Sequence, residues 1–144
     1  MTVAAILKHK GTDVATVGPT RTIAEVAKLL SSRRIGAVLV CDAEERLLGI
    51  LSERDVMVAL ANHGTATLQM TARQLMTVTL HVAAPHTTVN EALLAMTEGR
   101  FRHMPVMDRG RLAGIVSIGD VVKAKLMQQE TEVDGLRAYV AGAA

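Results

Sequence analysis

Twice along the chain, apolar residues recur at helical spacing directly after a threonine. Ile23, Val26, Ala27 and Leu30 follow Thr22; Val89, Ala92, Leu93 and Met96 follow Thr88. Steps of three and four put these residues on one helix face. Glu25 and Glu91 stand three places after the threonines, the spacing of a capping box, in which each side chain satisfies a backbone N–H of the first turn. Each helix is followed by two short apolar runs, Ala37 to Cys41 with Leu47 to Leu51, and Met104 to Met107 with Leu112 to Val116. The turns Asp42-Ala43-Glu44-Glu45 and Asp108-Arg109-Gly110 join them, so each set predicts a pair of strands. Their nearly unbroken apolar character predicts cover on both faces. Val14 to Val17 and Val78 to Val82 predict a leading strand in each copy, and a closing helix begins near Ser52 and near Ser117. Asn62-His63-Gly64-Thr65 breaks the first closing helix, Thr71 to Met76 predicts a short connecting helix, and Gln128 to Tyr139 predicts a helical tail outside the pattern.

The two halves are one pattern repeated. Thr22-Ile23-Ala24-Glu25 aligns with Thr88-Val89-Asn90-Glu91, and Arg34, Val40 and Asp42 with Arg100, Val106 and Asp108, at an offset of 66 residues. After a turn one residue shorter, Gly49-Ile50, Ser52 and Asp55-Val56 align with Gly114-Ile115, Ser117 and Asp120-Val121 at an offset of 65. Order, spacing and residue type agree too far for coincidence. Each half is short of core by itself, so the two are expected to pack about a pseudo-twofold axis.

Composition narrows the function. The chain has 144 residues, 49% of them hydrophobic, which suits one folded unit or two packed halves. The apolar content is aliphatic, with 8 Met, one Phe, one Tyr and no Trp. Stacking platforms for single-stranded nucleic acid use aromatic rings, which are nearly absent. Sixteen Lys and Arg oppose 14 Asp and Glu, so the pI of about 9.0 reflects a slight tilt rather than a polycationic face. The basic clusters Arg33-Arg34 and Arg100-Arg102-His103 suit one phosphate each better than a DNA backbone. A lone cysteine, Cys41 in an apolar run, excludes an intrachain disulfide and reads as a buried structural thiol. Met57, Met70, Met76, Met96, Met104, Met107 and Met127 read as core filler. The start of the chain has no basic segment ahead of an apolar one, and no run reaches membrane-spanning length, so a cytoplasmic protein is expected.

The sharpest chemical signal is Gly49-Ile50-Leu51-Ser52-Glu53-Arg54-Asp55 with its partner Gly114-Ile115-Val116-Ser117-Ile118-Gly119-Asp120. A strand ends, and a serine opens a helix three residues before an aspartate. The plain reading is a capping box with Asp inside the first turn, worth about 0.3–1 kcal/mol through the helix dipole. The functional reading adds a ligand, since the same helix end can bind phosphate through N–H groups while Asp accepts both hydroxyls of a ribose. Among His9, His63, His81, His86 and His103 no two stand at metal-ligand spacing with one another or with Cys41 on one element, so no metal is expected. His103 flanks Arg102 and can face phosphate; otherwise it is an exposed histidine at a strand end. No Ser–His–Asp set, nucleophile elbow or Walker-type glycine loop is present, so an enzyme is not expected.

These motifs resemble those of CBS-domain proteins, in which tandem repeats form a Bateman module. The resemblance runs from about Val14 to Lys125. It rests on the doubled Gly-Ile-(Leu/Val)-Ser-x-x-Asp, the Thr-(Ile/Val)-x-Glu helix starts, Arg34-Ile35-Gly36-Ala37-Val38 and Phe101-Arg102-His103-Met104-Pro105-Val106. It is nearest to small bacterial proteins made only of this pair. The resemblance implies an α/β (α+β) fold of two β-α-β-β-α repeats, two clefts per chain, disc-shaped homodimers and an adenosine ligand, AMP above all, with ADP, ATP, NAD(H) or S-adenosylmethionine also possible. It implies that Asp120 and Asp55 bind ribose and that Ser117 and Ser52 lie near phosphate. Each cleft draws on both repeats in that family. One cleft then joins Ser117 and Asp120 to a base seated at Ile35, Gly36 and Ala37, with Arg102 and His103 facing phosphate. The other joins Ser52 and Asp55 to Phe101, Arg102 and His103, with Arg54 and Arg34 facing phosphate. Gly36-Ala37 leaves more room than Arg102-His103, which favours the Asp120 cleft as the tighter. Leu39 departs from the pattern, standing where the second copy has Pro105.

The domain organisation read from the sequence is a first repeat over 1–70 with an N-terminal helix, a second over 71–127, and a helical tail over 128–144. The function expected is an adenosine-nucleotide sensor that biases a dimer or a regulated partner protein, with no membrane role. A purely structural dimerisation module without a ligand is the alternative. Nucleic-acid binding, suggested only by the pI, is disfavoured.

Overall fold

The computed structural model describes residues 1–143, which form a mixed α/β fold of two compact units. One unit comprises residues 1–12, 82–108 and 113 onward; the other comprises 13–81 and 109–112. Helix α1 (Val3–Lys10) leads the chain. The first repeat follows as β1 (Thr16–Val17), α2 (Ile23–Arg33), β2 (Ala37–Cys41), β3 (Leu47–Ser52) and α3 (Glu53–His63). A 3-10 helix (Gly64–Gln69) and the short α4 (Ala72–Leu75) lead to the second repeat, α5 (Val89–Gly99), β4 (His103–Asp108), β5 (Arg111–Ser117) and α6 (Ile118–Ala143).

The capping signal acts in full on α5 and in part on α2. Thr88 and Glu91 form a reciprocal capping box on α5. Thr22 accepts the Glu25 N–H on α2, but the Glu25 carboxylate turns instead to Arg21, 2.7 Å away. Both helices end on an arginine in the left-handed region, Arg34 at φ 52° and Arg100 at φ 55°, whose backbone N–H groups close the last turn. These two arginines of the basic clusters therefore serve first as backbone caps.

In the first repeat β1 runs parallel to β2, and β2 antiparallel to β3, with Ala37 opposite Ser52 and Leu39 opposite Ile50. In the second, β4 pairs with β5 alone. The leading strand expected over Val78 to Val82 does not form; only Ala83 bridges Val106. Proline explains the difference. Leu39 donates its N–H to Ala15 O, whereas Pro105, at the matching position, has none to give. Cover on both faces holds for β2, buried along Ala37 to Val40, but β3 and β5 alternate buried with half-buried residues.

Each unit has its own core. In one, Ile23, Val26, Leu30, Val38, Val40, Leu51 and Val56 pack together with Ala72 of α4. In the other, Val89, Ala92, Met96, Met104, Val106, Val116 and Val121 pack with Val3, Ile6 and Leu7 of α1. The leading segments are thus exchanged: α1 packs on the second repeat and α4 on the first. The backbone pairing is equivalent in both places. Val89 N–H bonds Met1 O and Val3 N–H bonds Thr87 O, while Ile23 N–H bonds Met70 O and Ala72 N–H bonds Arg21 O. Of the methionines, Met96 and Met104 are core residues, but Met57 and Met127 are not filler; they are 63% and 46% exposed. The helical tail expected over 128–144 continues α6, which runs from Ile118 to Ala143; Ala144 lies outside the described residues.

Candidate functional site

The serine–aspartate pairs are set by the junction of strand and helix. Ser52 and Ser117 are the last residues of β3 and β5. Asp55 accepts the Ser52 N–H at 2.8 Å, and Asp120 accepts the Ser117 N–H at 2.9 Å. The serine hydroxyls accept the aspartate N–H groups in return, at 3.3 and 3.2 Å. The first helical N–H is also taken: Glu53 bonds Gly36 O and Ile118 bonds Arg102 O. Those two bonds fix what surrounds each helix start. In one unit Ile35, Gly36 and Ala37 lie beside Ser52, Arg54 and Asp55. In the other Phe101, Arg102 and His103 lie beside Ser117 and Asp120. Ile35, Gly36, Phe101 and His103 are half-buried, Ala37 is buried, and Arg54 and Arg102 are exposed. Ile35 and Gly36 also line a cavity of about 480 Å³ with Leu30, Val56, Arg34 and Glu53.

The two aspartates differ in what else they hold. Asp55 accepts the Thr77 hydroxyl at 3.4 Å, a weak contact. Asp120 accepts the Lys10 ammonium at 2.6 Å, and the same ammonium donates to Ile115 O at 2.9 Å. Burial pushes the Asp120 carboxyl up, but the Lys10 ammonium and the Ser117 N–H outweigh it and hold the group below the ordinary carboxylate range. The Asp120 side chain keeps 25% of its surface exposed, so it is not sealed in the core.

Lys10 is the residue sequence reasoning misses. It lies 110 positions from Asp120, and only the exchange of leading segments carries it there. The signal that could have found it is the resemblance between Thr2 with its following apolar helix and Thr71 with its own, since each threonine forms an isolated bridge to the threonine of the other repeat, Thr2 with Thr88 and Thr71 with Thr22. Gly114 and Gly49 admit these segments closely. A Cβ on Gly114 would meet Leu7 at 2.8 Å, and one on Gly49 would meet the Met76 sulfur at 2.8 Å and Thr77 O at 2.9 Å. Cys41 is half-buried rather than fully enclosed, and burial raises its thiol above the ordinary value, so it is no activated nucleophile. Among the described residues no group of three His, Cys, Asp or Glu could hold a metal, and no helix is long and apolar enough to cross a membrane.

Comparison with known proteins turns the repeat into a family. The CBS domain model matches residues 5–62 and 72–127, most of the chain and both copies of the pattern. The chain belongs to the CBS-domain family. It is 48% identical to the CBS-domain containing protein ATU1752 from Agrobacterium tumefaciens, whose crystal structure superposes with a TM-score of 0.84 over 86% of this chain and 92% of that one. The mitochondrial CBS domain-containing protein CBSX3 of Arabidopsis thaliana is 33% identical over 84% of this chain, which spans 61% of that relative. The CBS domain pair of protein MJ0100, solved in complex with 5′-methylthioadenosine and S-adenosyl-L-methionine, is 25% identical with a TM-score of 0.78, over 89% of this chain and 98% of that one. CBS pairs of this fold therefore include one solved with adenosine derivatives bound.

Proposed function

We propose that this CBS pair is a regulatory module that binds an adenosine-containing ligand, AMP first among the candidates, and performs no chemistry of its own. The observation that carries the reading is the Asp120 carboxylate: fixed at a helix start by the Ser117 N–H, ionised, and open to solvent over a quarter of its side chain. A ribose diol donates two hydrogen bonds, and an ionised carboxylate accepts both. The Lys10 ammonium holds Oδ2 in the free protein, and the ribose hydroxyls exchange with it. Ser117 and the positive end of α6 suit a phosphate, with Gly119 leaving the first turn without a side chain, Arg102 supplying positive charge and His103 a ring N–H donor. Ser52, Arg54 and Asp55 form the equivalent set in the other unit, Ile35, Gly36 and Ala37 offer an apolar seat for a base, and Phe101 offers a ring. The adenosine derivatives bound by the MJ0100 pair support the ligand class.

Such a ligand acts by stabilising one arrangement of the chain or its dimer over another, which is all that regulation of a partner protein requires. A homodimer is supported by large apolar residues left exposed on the helices, Met57 and Leu60 on α3 and Leu94 on α5. Charge-assisted hydrogen bonds of about 1.5–3 kcal/mol each bring micromolar affinity within reach. Thermal-shift measurements with AMP, ATP, NADH and S-adenosylmethionine test the reading. At least one is expected to raise the melting temperature at millimolar concentration; no shift with any of them would leave the capping boxes as the whole role of Ser52 and Ser117, the structural module.

A further inference from the structure

Helix α6 outruns the fold it belongs to. Its 26 residues span about 39 Å, yet its last buried side chain is Ala124. From Gln129 to Gly142 every side chain is exposed. A helical stretch of this length containing Gly135 and Gly142 is marginal in water without a packing partner. The exposed surface is patterned. Val122, Leu126, Val133, Leu136 and Val140 are 42%, 56%, 46%, 64% and 61% exposed, and with Gln129 they fall at alternating steps of four and three. That is the seam of a coiled coil, not the broader face of a helix lying on a globular core.

The flanking charges choose the partner. We propose that α6 pairs with α6 of a second copy of this chain as a parallel, in-register, two-stranded coiled coil. In that arrangement a flanking residue on one helix faces the residue five places further on in the other. Lys125 then faces Glu130 of the second copy, and Glu132 faces Arg137, twice over by symmetry, with every pair of opposite sign. The antiparallel register that aligns the whole stripe instead sets Lys123 against Arg137 and Glu130 against Glu130, all like charges. Val133 and Val140, branched at Cβ, in one seam position with Leu136, branched at Cγ, in the other are the choices that favour two parallel strands. Gln129, the one polar residue of the seam, meets its own counterpart only when the helices are in register. Gly135 and Gly142 fall on the outward side, where the lack of a side chain loses no packing. The inference is independent of any ligand.

Cysteine cross-linking of the full chain tests it, in a Cys41→Ala background. Gln129→Cys places one thiol in the seam, where parallel pairing brings its counterpart within disulfide reach, and Thr131→Cys places one on the outer face. Under mild oxidation, covalent dimer from Gln129→Cys is expected to exceed that from Thr131→Cys by about tenfold. Adding Arg137→Glu should slow cross-linking at 129 by about fivefold, and adding Glu132→Arg as well should restore it, because the swapped pair is again of opposite sign. Equal cross-linking at 129 and 131 would overturn the proposal, as would failure of the charge swap to restore it. Retention on anionic lipid vesicles with no cross-link at 129 would overturn it in favour of a membrane surface.

Discussion

Replacing Lys10 by methionine keeps most of the aliphatic stem and removes the ammonium from Asp120 and from Ile115 O. A hydrogen bond between charged groups is worth about 1.5–3 kcal/mol when water is kept away. Here the Lys10 and Asp120 side chains are 33% and 25% exposed, so solvent screening reduces the expected loss to about 1 kcal/mol at neutral pH. The pH dependence identifies the source of that loss. Asp120 is held below the ordinary carboxylate range in the folded chain, so its contribution is complete above the unfolded-state value and disappears as pH falls through the folded-state value. In Lys10→Met, burial is left opposed mainly by the Ser117 N–H, and the Asp120 carboxyl should titrate higher. Urea melts of both proteins at neutral pH and at steps below about pH 4 measure the difference. The gap should be about 1 kcal/mol at neutral pH and narrow on acidification to what the bond to Ile115 O contributes. A gap that persists unchanged in strong acid, or no gap at any pH, would refute the argument.

Three further outcomes are expected of the protein. Lys10→Met should tighten binding of an adenosine ligand by about fivefold in calorimetry, because the ribose hydroxyls no longer displace a competitor worth about 1 kcal/mol; weaker binding would show that the ammonium assists the ligand instead. Gly49→Ala should destabilise by about 1–3 kcal/mol in denaturant melts, since the new Cβ meets backbone at Thr77 O, whereas the new Cβ of Gly114→Ala meets only side-chain atoms of Leu7 and should cost less. Thr67, fully buried, donates its hydroxyl to Ala59 O at 2.9 Å, so Thr67→Val should cost about 1–2 kcal/mol, while Thr67→Ser, which keeps the hydroxyl, should retain part of that bond.

Local signals proved legible where local physics decides. The capping boxes at Thr88 and at Ser52, the four hairpin strands and the break at Gly64 depend on neighbours within a few residues, and each lies where the spacing puts it. What the sequence concealed depends on distant partners. The segment Val78 to Val82 is apolar enough for a strand, but a strand needs a donor opposite it, and Pro105 withholds one. The exposure of Met57 and Met127 is a matter of which helix face meets a neighbour, which periodicity leaves open when apolar residues occur on more than one face. The exchange of α1 and α4 between the repeats was invisible to an alignment that compares the copies without asking which copy each leading segment touches. Hence the pairing of Ser117 with Asp120 at the helix start is legible in the motif, and the contact of Lys10 with Asp120 is not. The Gln128 to Tyr139 stretch reads as helical, and its continuity with α6 reflects the absence of any proline after Ile118.

The Asp120 carboxylate is the proposed ribose acceptor on which ligand binding depends. Calorimetric titration of AMP into the wild-type chain and into Asp120→Ala, with circular dichroism to confirm that the variant is folded, measures it. Micromolar binding is expected for the wild type, with a loss of at least about tenfold in the variant, the equivalent of one charge-assisted hydrogen bond. Equal affinity in the two folded proteins would contradict it.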